Sequence, residues 1–77
     1  MTVVAAALVE GMFVAILHSD YAAPADPDVA DARHAAFLEL QEYGVKGCAC
    51  QVATEFGAHP VEAAERMVRA RTLVGAR

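Results

Sequence analysis

The run TVVAAALVEGMFVAILH, residues 2–18, restricts the fold more than any other part of the chain. It lacks Pro and is rich in Ala, Leu and Met, so it favours helix. Thr2 stands where a helix cap is wanted. At 100° per residue, Leu8, Val9, Met12, Phe13, Ile16 and Leu17 share one broad face, while Ala7, Gly11 and Ala15 recur at spacing four on the opposite side. A helix that is apolar nearly all round must be covered on more than one side. Two coverings are open in so short a chain. Either the remaining helices wrap this one, with the small residues serving close packing inside the chain, or a second copy seals the stripe. A homodimer seam through Ala7, Leu8, Gly11, Met12 and Ala15 is the expectation taken forward.

The need for extra core follows from size. At 77 residues one domain is expected, spanning 1–77, and a chain this short buries only about 60% of its unfolded surface. The apolar fraction is 57%, yet 18 of those residues are Ala and there is no Trp. Association would add core that the sequence itself supplies sparingly.

The rest of the chain reads as three more helices. Residues 19–27 form a linker with two prolines. Asp26 and Pro27 then suit an N-cap and first helical position, with Asp28 also favoured at the positive helix end. The second helix is expected to run to Tyr43 and to stop at Gly44. Its apolar stripe is Val29, Ala32, Ala36, Leu40 and Tyr43, with Phe37 at the edge and Leu38 on the polar side. A short third helix covers residues 48–56 and presents Cys48, Val52, Ala53 and Phe56 before Gly57. The fourth opens at His59-Pro60 and runs to Val74, ahead of Gly75. Its expected apolar arc is Val61, Ala63, Ala64, Met67, Val68, Ala70 and Val74. Glu62–Arg66 and Glu65–Arg69 stand as i,i+4 pairs on its outside. The expected fold is all-α: a compact four-helix domain whose last two helices form a helix-turn-helix-like pair.

One charge falls inside the first helix, Glu10, and one Arg falls within the fourth helix's apolar arc, Arg71. A buried Arg needs a partner, so either a structural ion pair Glu10–Arg71, within or between chains, sets helix register, or Arg71 snorkels to water near the frayed helix end.

Net charge is −4, but its distribution is uneven. Residues 1–57 hold eight acids against two bases, and residues 58–77 hold two acids against four. An acidic body disfavours general nucleic-acid binding and anionic membranes. Glu10 interrupts the N-terminal apolar run, which lacks a basic leader and is short for a membrane span of about 20 residues. No membrane association and a cytoplasmic home are expected, in keeping with two cysteines that make no disulfide framework.

Cys48 and Cys50 stand two apart and on a helix project about 200° from each other. They are poorly placed to share a metal, which wants a full tetrahedral ligand set. A metal- or redox-linked protein is the second alternative, with no metal ligand assigned. His18, His34 and His59 are scattered, and neither a phosphate loop nor a nucleophile motif is present. Catalysis and a cofactor are therefore not expected.

The segment VATEFGAHPVEAAERM, within residues 48–68, resembles the helix-turn-helix superfamily. Ala53 matches the small position of the first helix, Gly57 the turn, and Ala63 the site where the second helix packs back. The resemblance implies that the helix from Pro60 would be the recognition helix, with Arg66, Arg69, Arg71 and Arg77 on the DNA backbone. The positions it would turn to the major groove are Val61, Glu62, Ala64 and Glu65, and carboxylates there are repelled by phosphate. Arg66 occupies a position that the superfamily keeps apolar. The preferred reading is thus a non-catalytic protein–protein interaction or regulatory factor, homodimeric through its first helix and meeting an unidentified protein partner. The first alternative is a DNA-binding regulator.

Overall fold

The computed structural model describes residues 3–19 and 28–75. They form three helices: α1 (Val3–Ser19), α2 (Val29–Ala58) and α3 (Pro60–Leu73). Among the described residues there is no strand, as expected for an all-α chain.

α1 packs against both other helices, which also meet each other. Residues 11–16 are all buried, and Val9 joins them at 4% exposure. This helix brings the large core side chains Met12, Phe13 and Ile16, while α2 and α3 meet them mainly with Ala32, Ala36, Ala63 and Ala70. Leu73 and Val74 close the end of the core. The alanine-rich composition has its explanation in this division: bulky side chains radiate from the centre, and small ones on the flanking helices let the backbones approach. Burying each of the large side chains contributes about 1.5–3 kcal/mol.

The closest approach is at Gly11. A Cβ added there would lie 2.5 Å from the Ala36 carbonyl oxygen. The small-residue stripe of α1 is therefore covered by α2 of the same chain. Gly11, Met12 and Ala15 are buried and Ala7 and Leu8 half-buried, so three of the five residues expected at the seam are already covered within the chain. Intrachain packing, the other covering open to this helix, consumes the stripe.

The helix count is three rather than four. The second and third expected helices are the two arms of α2, which meet at a kink where Gly44 leaves the helical conformation (φ 75°, ψ 167°). That backbone region belongs essentially to Gly, so the expected stop is real as a bend. Its sharpness shows in the Cys48 thiol, which reaches the Glu39 carbonyl at 3.7 Å. Nine residues along a straight helix would be about 13.5 Å apart.

α2 begins at Val29, capped by Asp28, whose carboxylate accepts the Ala30 N–H at 2.8 Å. Asp28 takes the capping role expected of Asp26: its own backbone is extended (φ −82°, ψ 119°) and the helix follows from Val29. Asp26, Pro27 and Thr2 themselves lie outside the described residues, as do positions 20–27 of the linker. Between α2 and α3, His59 donates its backbone N–H to the Glu55 carbonyl (2.7 Å), and its own carbonyl accepts from Ala63 (2.8 Å). Its ring caps nothing. Pro60 opens α3 as expected, and the last turn is held by Arg33, whose Nε donates to the Val74 carbonyl at 3.0 Å.

Candidate interaction surface

The inward face of α3 consists of Ala63, Ala70, Leu73 and Val74, with Arg66 and Met67 half-buried beside them. This face is rotated from the expected arc. Val61, Ala64 and Val68, expected inside, are exposed, the two valines at 67% each. The residue that turns inward instead is Arg66.

The physical reason is the environment that α1 provides. The Arg66 guanidinium lies over the Phe13 ring, 5.3 Å from its centroid. Phe13 in turn stacks with Phe56 at 6.1 Å. Arg66 Nη1 also donates to Glu55 Oε1 at 3.3 Å, with both side chains largely covered. A cation over an aromatic face is worth about 0.5–2 kcal/mol, more as water is removed. The guanidinium head thus rests on the core ring while its charge is met by Glu55. The ion pair lies between helices, not along α3 to Glu62 as the i,i+4 spacing led one to expect.

Glu10 and Arg71 line one open groove of about 340 Å³ with Ala6, Val9, Val52 and Met67. The structure brings them to the same place, but among the described residues no ion pair joins them, and Arg71 is exposed. Arg69 is exposed as well and belongs, with Ile16, Glu62, Glu65 and Arg66, to a second open groove of about 360 Å³. Arg77 lies outside the described residues.

Cys48 is fully buried and Cys50 exposed; both are free thiols. Burial, then the nearby carboxylates of Glu39 and Glu10, holds the Cys48 thiol above its ordinary pKa. Such a thiol is a poor nucleophile and a poor metal ligand. Among the described residues no group of three or more His, Cys, Asp or Glu side chains is placed to hold a metal ion. His18, at the end of α1, is hydrogen-bonded to Gln51 and stacks on Tyr43, 5.7 Å between centroids. That contact fastens α1 to both arms of α2.

What remains outward on α3 is one lengthwise stripe. Val61 and Val68 are two turns apart, Ala64 lies between them, and Glu62, Glu65 and Arg69 flank them. The acids occupy the first half of the helix and Arg69 and Arg71 the second. On α2, Phe37 and Leu38 are each 50% exposed. Sequence reasoning missed the stripe because valines at helical spacing beside Ala63 and Met67 read as core. The available signal was Arg66: with it turned inward, the valines must turn outward.

Among the described residues no helix is long and apolar enough to cross a membrane. No family model, curated protein or solved structure matches the chain.

Proposed function

We propose that this chain is a small non-catalytic protein–protein interaction or regulatory factor, and that its contact surface is the outer face of α3. The observation that supports the reading is the stripe Val61–Ala64–Val68, left exposed on a helix whose opposite side already meets the core. Apolar side chains aligned along a helix and rimmed by charge mark a surface for another protein. Both larger grooves are open to solvent and lined without Ser, Thr, Cys or His, which gives catalysis little support. The surface differs from the seam expected on α1, since that helix spends its apolar area inside the chain.

A photo-crosslinking amino acid placed at Ala64 should give a discrete protein adduct in the native host, whereas the same probe at His34 should not. Absence of any adduct from Ala64 would sink the reading.

The DNA-binding alternative draws on Arg69 and Arg71, exposed on the second half of α3. Against it stand the engagement of Arg66 with Phe13 and Glu55 and the outward Glu62 and Glu65. A mobility-shift titration at two salt concentrations separates the readings. Retardation at low salt that fades steeply as salt rises would favour DNA.

A further inference from the structure

We infer that the occupant of the α3 stripe is a second copy of this chain, its α3 lying antiparallel to the first across a two-fold axis near Glu65. The inference rests on the reading of that stripe as an interaction surface and names its partner.

The stripe is complementary to itself. When a helix is reversed and laid against its own copy, residues on one flank meet the same flank of the other, with early positions facing late ones. Val61 then meets Val68 of the second copy, and Val68 meets its Val61. The axis falls between Ala64 and Glu65, and the small side chain of Ala64 permits close approach of the two helices. In the same register Glu62 comes near Arg69 of the other copy, twice over by symmetry, against one approach of Glu65 to its own copy beside the axis. A parallel two-fold pair would instead turn the flank that carries Glu62, Glu65 and Arg69 toward the opposite flank of the other copy, with Ala64 and Arg71, and would form no Glu62–Arg69 contact. The order of charge along α3, acids first and bases second, therefore selects one orientation. Arg69 already has a contact within its own chain, and the five donors of a guanidinium can serve that contact and a second carboxylate together.

Size bounds the strength. Fourteen residues of helix extend for about 21 Å. One such helix pair sits at or below the lower end of stable interfaces, about 1,200 Å² in total. The dimer is therefore expected to dissociate on dilution.

The test is sedimentation or light scattering of the purified full chain over a wide concentration series. The expected result is a reversible monomer–dimer equilibrium. Val68→Glu should weaken it by roughly tenfold or more by bringing carboxylate into an apolar and partly acidic contact. Glu62→Arg and Arg69→Glu should each weaken it, and the double exchange Glu62→Arg/Arg69→Glu should restore it. Helical circular dichroism identifies any variant that has lost its fold. A chain that stays monomeric at every concentration overturns the proposal, as does a dimer indifferent to Val68→Glu or a double exchange that fails to restore. The Ala64 crosslink distinguishes this failure from failure of the broader reading. An adduct of a different protein on a monomeric chain removes the second copy and leaves the interaction surface; no adduct of any kind removes both.

Discussion

Gly11 and Gly57 are both helical glycines, and their surroundings give them opposite expected responses to Ala. Ala is the better helix former by about 1 kcal/mol. At Gly57 a new Cβ meets nothing within 4 Å, so Gly57→Ala should raise stability by about 0.5–1 kcal/mol. At Gly11 the new Cβ would press to 2.5 Å on the backbone oxygen of Ala36, and backbone cannot swing aside as a flexible side chain can. Overpacking of this kind costs about 1–3 kcal/mol and outweighs the propensity gain. Chemical denaturation of the two variants should show midpoint shifts of opposite sign. Cys48 makes a second residue-level prediction. Its thiol is held above its ordinary pKa by burial and by Glu39 and Glu10. The folded chain therefore keeps that proton more tightly than the unfolded chain does. This contribution to stability is fully present below the ordinary thiol pKa of about 8.5 and is lost as pH rises past it toward the folded value. In native protein a thiol reagent should label Cys50 and spare Cys48 until denaturant is added. Equal labelling rates would contradict the burial.

At the scale of elements, the bend in α2 depends on one residue. Gly44 adopts φ 75°, ψ 167°, with nothing within 4 Å of a built Cβ. The cost of Gly44→Ala is thus backbone strain alone, about 1–3 kcal/mol. A synthetic chain with D-Ala at 44 should avoid that loss, because the mirror-image residue favours positive φ; if both forms were equally destabilised, the strain argument would fail. The same element shows how much of the architecture was legible in the sequence. Helix was legible over most of this element, and so was the interruption at Gly44, but residues 45–47 read as part of a joint and are helical. That helix resumes at the next residue, leaving one bent element, was not legible, because no local signal separates a stop from a kink. On α3 the Pro60 start and the end before Gly75 were legible, but the rotation was not. Local pattern counted Val61, Ala64 and Val68 as core by residue type. The buried face was decided by Phe13 on another helix, whose ring accepts the Arg66 guanidinium. The candidate surface was hidden for the same reason: it becomes visible only once Arg66 is known to point inward.

Across the whole molecule, one central apolar helix is enclosed by two flanking helices rich in alanine, which leaves little core beyond what α1 supplies. Association through α3 would couple folding to concentration, because a partner that binds only the folded chain stabilises it by mass action. Above the dissociation constant of a dimer, each tenfold rise in protein concentration adds about 0.7 kcal/mol per chain. For a domain of this size that corresponds to a rise of about 3–5 °C in Tm. Thermal melts of the wild-type chain should therefore climb with concentration and level off at the dilute end, where the monomer melts alone. Val68→Glu should flatten the dependence while meeting the wild-type curve at its dilute limit, since Val68 is exposed and contributes little to the monomer. A variant that melted lower at every concentration would place Val68 in the fold rather than at the contact. A wild-type Tm independent of concentration, measured well above and below the range of the sedimentation series, would mean that the central helix and its two neighbours hold the chain together without help.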